Sequence, residues 1–402
     1  MRAVTKLLSQ ITDNKLDLTS FAKDNGFLFA KHEVGIATQG VAIRVKPNDA
    51  LSTLNKIEHK NLSSIENLAP IAIGCIPFDI NQPHDFVIPR VVVGRNQNGD
   101  EWITTIDDAE PDFDLIITDT SGTPTYSVTY SVSPGVSIEH YLEAVRLTRD
   151  AVRNGDFAKA VIARDLIVSC DRPIDLTTVL LRLQNSYRSS YRYLFEGFIG
   201  ASPELLISVN GTEVTSNPLA GTSRRTGDQE LDKQLADQLI ASTKNQLEHR
   251  IVIDMVHDTL LPWCSYLDWQ PEPSIVEIGN VQHLGTEISG RLSEPRASVL
   301  ELAYALTPTP ALGGHPRYEA LTHIHKVEGF DRGRYGGAVG YFNASGDGCF
   351  AVSIRCAEID NTRMQARLFA GGGIVGDSEP LSELAETDAK FQAILNAITQ
   401  VD

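Results

Sequence analysis

Apolar positions in this chain fall into short runs separated by polar turns, and their spacing predicts the elements. Ile71 to Pro89 (IAIGCIPFDINQPHDFVIP) reads as an apolar strand, broken at Pro77 by a polar loop, then another short strand. Residues 90–135 predict further strands and turns, with Asn98-Gly99 as a hairpin turn. Residues 1–70 are too mixed to assign. Ser133-Pro134-Gly135 is the best candidate boundary, separating a β-rich first third from a helix over 137–153. In that helix Tyr141, Val145 and Val152 follow helical spacing, and Asn154-Gly155 ends it. The strand Lys159 to Val168 (KAVIARDLIV) is apolar on both faces, which predicts a central place in a sheet.

A helix near 175–186 leads to a strand from Tyr193 to Ile199. A hairpin then joins Glu204–Val209 to Thr212–Ser216 through Asn210-Gly211, read as a type I′ turn. One long helix is predicted over 229–257, with Leu247, Ile251 and Met255 as its buried stripe and Glu248 at the stripe's edge. Strands follow at Gly337–Phe342, Phe350–Ile359 and Met364–Ala370. A last helix starts between Ser378 and Pro380, because proline is tolerated in a first turn. Strand and helix blocks do not alternate one for one. The pattern therefore predicts an α+β fold with large antiparallel sheets packed with helices, in a single domain over 1–402.

Composition narrows the function. With 42% hydrophobic and 22% charged residues, the chain reads as an ordinary soluble protein. No apolar run would span a bilayer, and the N-terminus lacks a signal peptide's apolar core. The five cysteines are scattered without a CxxC, which argues against a disulfide framework or a zinc site and for a reducing cytoplasm. A net charge of −17 excludes general affinity for nucleic acid or anionic membrane. An anionic small substrate would be repelled at long range, so local Arg, Lys or metal must capture it.

Most of the chemistry-bearing residues have more than one open reading. Gly371, Gly372 and Gly373 follow an apolar run, and glycines there let backbone N–H groups approach an anion. Glu383, Glu386 and Lys390 share one face of the last helix. They read either as a solvated charged face or as hard oxygen donors for Mg²⁺ beside an anion-binding lysine. Lys159 opens its strand either as a snorkelling amine or as a base whose charge burial disfavours. Glu204 is either an edge-strand charge or an acid with a raised pKa. Asn217 to Arg225 (NPLAGTSRR) reads as a tight turn, either a plain basic loop or a carboxylate site. Arg355 sits among apolar neighbours and needs a carboxylate partner, from substrate or from the protein. His283 is an acid, a ligand or a satisfied core histidine.

At this point the chain resembles the chorismate-utilising enzymes, and within them the isochorismate synthases of catecholate siderophore pathways. The matching segments are FAKAVIARDL (157–166), GASPELL (200–206), PLAGTSRR (218–225), KNQLEH (244–249), TPTPALGG (307–314), GGAVGYF (336–342), SIRCAEI (353–359), FAGGGIV (369–375) and ELAETDAK (383–390). They run in the family's order. IGCIPFD (73–79) extends the match, while residues 1–70 and 90–135 add little, so 1–135 is the more variable part.

The resemblance implies roles. Lys159 is the general base that activates water, and Glu204 the acid that protonates the departing C4 hydroxyl of chorismate. Glu248 and Glu386 ligate Mg²⁺, with Glu383 close by. Gly221, Thr222, His283 and Ala311 line the pocket. Arg355, Gly371 and Lys390 hold the carboxylates. The product would be isochorismate, for 2,3-dihydroxybenzoate, from a cytoplasmic monomer that needs no glutaminase subunit. Anthranilate synthases resemble the chain but carry glutamine where Lys159 stands, and aminodeoxychorismate synthases carry lysine where Ala220 stands. Salicylate synthases, the competing reading, tend to have threonine at Ala311. A menaquinone pathway is the other outlet for the same product. Gly313 departs from the serine common in relatives. A non-catalytic chorismate-binding protein would lack Lys159, Glu204 or the metal glutamates, and all are present.

Overall fold

The strand Lys159–Cys170 is the line along which the active half of the molecule is assembled. Its first seven residues are buried, as a run apolar on both faces requires. In the computed structural model, which describes residues 1–399 apart from 14, 24 and 114–127, it pairs antiparallel with Gln365–Ile374 over ten residues, from Gln365 opposite Ser169 to Ile374 opposite Ala160. On its other edge it meets Tyr130–Pro134 and the short strand Gly314–His315.

From there the antiparallel path runs through Cys356–Ile359, Phe198–Ser202, Tyr191–Phe195 and Leu28–Lys31 to Val34–Val45. It continues through Phe86–Arg95, Ile71–Ile76, Ala338–Asn343 and Gly348–Val352 to Leu205–Asn210. The first third thus lies inside the sheet, bridging strands of the second part. Tyr130–Pro134 itself pairs with the Lys159 strand, so Ser133-Pro134-Gly135 marks no break in it. One parallel pairing, Arg2–Leu7 with Glu58–Asn61, stands apart from this antiparallel plan. The expected α+β class with large antiparallel sheets is what the chain adopts.

Apolar side chains fill both faces of the sheet. Phe86, Phe342, Phe350 and Leu306 belong to one core, with the helix Val299–Leu306 packed on the sheet. Val168, Leu180, Ile199, Leu368 and Ile394 belong to the other, under the helices Leu176–Ser186 and Pro380–Thr399. The helix Ile138–Arg153, capped by Ser137, and the helix Arg317–Val327 lie on the first half of the Lys159 strand.

Several expected elements are divided. Tyr193–Ile199 is two strands turning at Glu196 and Gly197, whose φ values of 48° and 76° meet the type I′ requirement. At the next hairpin Asn210 still pairs with Glu213, so the loop is Gly211-Thr212. Only Gly211 has positive φ, which is the II′ pattern rather than I′. Asn217–Arg225 is not a tight turn: Leu219–Arg224 is a strand of a small three-stranded sheet, bulged at Gly221, where φ is +70°. Phe350–Ile359 is interrupted at Ser353 to Arg355, where Arg355 takes a left-handed φ of 53°. Residues 114–127 of the expected 90–135 strand region lie outside the described residues; Asn98-Gly99 does sit in a hairpin turn.

The helix expected over 229–257 is two helices, Gln229–Ala241 and Thr243–Leu260. Ser242 ends the first and caps the second, its hydroxyl accepting from the Asn245 N–H. The expected stripe is also on the wrong face. Leu247 is 64% exposed, whereas Val252, Ile253, Val256 and Leu260 are buried. Both sets have helical period, and only packing against the Val299–Leu306 helix and its neighbours chooses between them. Leu260→Ala should therefore cost about 2–5 kcal/mol, and Leu247→Ala no more than about 0.5 kcal/mol, compared by urea unfolding. Equal losses would contradict this placement of the helix.

Candidate active site

All twelve residues to which the resemblance assigns a role border one cavity of about 270 Å³. Its floor is the end of the Gln365–Ile374 strand. The three glycines are not an anion-binding loop, because they continue the strand and pair with Ala163, Ile162 and Val161. What they supply is room. A Cβ on Gly373 would stand 2.7 Å from Lys159 Cε and 2.8 Å from Glu248 Oε1. One on Gly372 would stand 2.8 Å from Glu383 Oε2. The chemistry-bearing groups thus occupy the space that side chains would have taken.

Lys159 is 1% exposed and donates from Nζ to Glu248 Oε1 at 2.7 Å, so it does not snorkel. Burial alone would push the Glu248 carboxyl up. The charge and hydrogen bond of Lys159, helped by Lys390 and Lys244, outweigh that and hold it below its ordinary value. Glu204 is 2% exposed, not an edge charge. Burial raises its pKa to about 8, against the weaker pull of the Leu219 N–H and the Lys159 charge. At neutral pH this carboxyl is largely protonated and able to donate.

On the opposite wall, Lys390 Nζ donates to Glu386 Oε1 at 2.7 Å and to the Gly371 carbonyl at 2.8 Å. Glu383, 6% exposed, is raised to about 7, first by burial and then by the Glu386 charge. Arg355 is 6% exposed. Its Nη1 reaches the Lys390 carbonyl at 3.3 Å and its Nη2 reaches His283 Nε2 at 3.0 Å. Among the described residues no carboxylate supplies the partner that a buried guanidinium needs. Burial, then the charges of Arg355 and Lys390, push the His283 pKa well below its ordinary value. The neutral ring accepts from Arg355 at Nε2, so Nδ1 carries the proton, 3.1 Å from both the Gly221 carbonyl and the Thr222 hydroxyl. Gly221 and Thr222 therefore fix the histidine that aims Arg355. Ala311 completes the wall from the segment after Thr307.

Besides Glu204, three glutamates face this space, yet among the described residues no three His, Cys, Asp or Glu side chains already stand as a metal-binding group. Glu248 and Glu386 are each taken up by a lysine. The donor chemistry still fits a hard dication. Oxygen ligands suit Mg²⁺, and Glu383 and Glu386 repel one another in a way that a cation would relieve.

Sequence reasoning passed over Lys244 and Asn245, which border the cavity one turn before Glu248. Their i, i+4 and i, i+3 spacing to Glu248 was the available signal. It also passed over Tyr335, stacked on Phe369 with ring centroids 5.2 Å apart. No spacing in the chain marks that contact.

The chain belongs to the chorismate binding enzyme family, whose match covers residues 57–399. Isochorismate synthase DhbC of Bacillus subtilis is 32% identical over 409 residues, covering 96% of this chain and 97% of its own. The vibriobactin-specific isochorismate synthase of Vibrio cholerae is 33% identical over 336 residues, covering 82% of this chain and 79% of its own. The solved structure of DhbC from Bacillus anthracis superposes with a TM-score of 0.80 at 33% identity, covering 94% of this chain and 98% of that one.

The Glu204 pKa links the site to stability. Its folded value of about 8 lies above the ordinary 4.5, so the folded state holds a proton that the unfolded state releases. That contribution is fully present below about 4.5 and is lost as pH rises through about 8. In metal-free buffer the unfolding midpoint should fall between pH 5 and 8, and Glu204→Gln should flatten that fall. Parallel profiles for the two proteins would show that Glu204 is not a buried neutral acid.

Proposed function

We propose that the chain is a Mg²⁺-dependent isochorismate synthase, an isomerase that adds water at C2 of chorismate and releases the C4 hydroxyl. The observation that carries this reading is the placing of a buried lysine, Lys159, and a buried protonated carboxyl, Glu204, around one cavity with an unpaired buried guanidinium, Arg355. The names of the Bacillus subtilis and Vibrio cholerae relatives support it.

Chorismate is a dianion. Arg355 and Lys390 receive its carboxylates, with His283 setting the angle of Arg355. Lys159 takes a proton from the water that attacks C2, which requires its ammonium first to move off Glu248 and release a proton to solvent, leaving a neutral amine. Glu204 gives its proton to the C4 oxygen, so the leaving group departs as water rather than hydroxide. Glu248 and Glu386 would hold the metal, with Glu383 beside them. When bound, Mg²⁺ supplies a Lewis acid on the ring carboxylate. Water needs a base where ammonia does not, so Lys159 is the residue that selects water. The likeness to a vibriobactin-specific enzyme supports a catecholate siderophore outlet.

Incubation with chorismate and Mg²⁺ should yield isochorismate by NMR, and excess EDTA should abolish it reversibly. Salicylate as the main initial product, or full turnover in EDTA, would overturn the assignment. Lys159→Gln and Glu204→Gln should each lose about 10²–10⁴-fold in kcat. Lys159→Gln should still tolerate slow amine addition when ammonium is supplied. The alkaline limb of the pH–rate profile should fall near 8, as Glu204 ionises.

A further inference from the structure

A second cavity, of about 410 Å³, lies against the helix Arg317–Val327. Pro308 borders it, whereas Ala311 and Leu312 border the active site, so the segment 308–312 touches both cavities. Phe78, Tyr304 and Leu321 make it apolar. Arg317 also lines it, half-buried, and donates from Nη1 to the Ala305 carbonyl at 3.0 Å. Among the described residues no carboxylate pairs with Arg317, and burial presses its guanidinium toward deprotonation. The acidic group on the wall, Asp79, is turned into its own loop: its Oδ1 accepts from the Asn81 N–H at 3.0 Å and from Asn81 Nδ2 at 3.1 Å. An apolar cavity with an unpaired guanidinium has the makings of a small-molecule site.

We propose that this cavity binds a small organic monocarboxylate with an aromatic body, its carboxylate on Arg317, and that occupancy alters turnover through Lys159. Two connections lead there. From Arg317 the chain runs directly back to His315 and Gly314, which pair with Lys159 and Ala160. The His315 carbonyl also accepts from the Ala158 N–H at 2.8 Å. Second, the Phe78 ring carries the Arg332 guanidinium 4.2 Å from its centroid. Arg332 donates to the carbonyls of Leu312 and Val161, both at 2.7 Å, and is held by buried Glu328. A ligand that draws in Arg317 or presses on Phe78 therefore acts on the backbone that places Lys159 and the active-site wall.

Binding is tested with 4-fluorobenzoate on the intact protein, read by ¹⁹F NMR independently of the proposed reaction; the coupling to turnover rests on that reaction. Arg317→Gln should weaken binding by at least about tenfold, the loss expected of a charge-assisted pair. Leu321→Trp, which fills the cavity, should abolish it. Arg355→Gln, in the first cavity, should leave it unchanged. Saturating probe should change kcat of the wild type but not of Leu321→Trp. Binding that survives both Arg317→Gln and Leu321→Trp, or is lost only in Arg355→Gln, overturns the site. Unchanged kcat at saturation overturns the coupling.

Discussion

The contact between Lys159 Nζ and Glu248 Oε1, 2.7 Å long, ties the central strand to the helix Thr243–Leu260 across the mouth of the chemistry. An ion pair this buried costs desolvation, and removing one partner leaves a charge whose isolation costs about 3–5 kcal/mol. Three features exist around it. Gly373 leaves the space it occupies. Ser242 breaks the preceding helix and starts the one that delivers Glu248. The Gly314–His315 strand fixes the backbone of Lys159. Under the proposed function the pair would also be the resting form of two working groups, the base and a metal ligand neutralising each other before substrate and cation bind.

The same principle of local compensation explains how an acidic protein can hold an acidic substrate. The net charge of −17 repels anions at long range, but salt screens that field within about 8 Å. Inside the cavity the balance is different. Arg355 has no carboxylate partner among the described residues, and Lys159, Lys244 and Lys390 stand nearby. Glu204 is kept neutral by burial, and so adds a proton to donate rather than another negative charge. His283 is kept neutral by the same burial and by Arg355, so it orients the guanidinium without competing for the anion.

Much of this was legible in the sequence, and the failures share a cause. The Lys159 strand could be read because burial on both faces leaves a continuous apolar run. The last helix was marked by Pro380, and the convergence of distant motifs by their order. What was missed depends on tertiary contact. The glycines at 371–373 resemble an anion loop in sequence, and only the neighbouring Lys159, Glu248 and Glu383 show that they make room. Leu247 and Val252 both sit on helical stripes, and packing decided which was buried. Glu196-Gly197 was passed over because glutamate is an unusual residue at positive φ. The unpaired state of Arg355 has no signature in the chain at all.

In the proposed reaction water adds at C2 as the C4 hydroxyl leaves, with Lys159 and Glu204 serving the two ends. Turnover of chorismate in H₂¹⁸O tests this most directly, with the position of the label read by mass spectrometry and ¹³C NMR isotope shifts. The account predicts one ¹⁸O in each isochorismate, on the C2 hydroxyl. Isochorismate without label would mean that the original hydroxyl migrates within the molecule, and would contradict the roles of both residues.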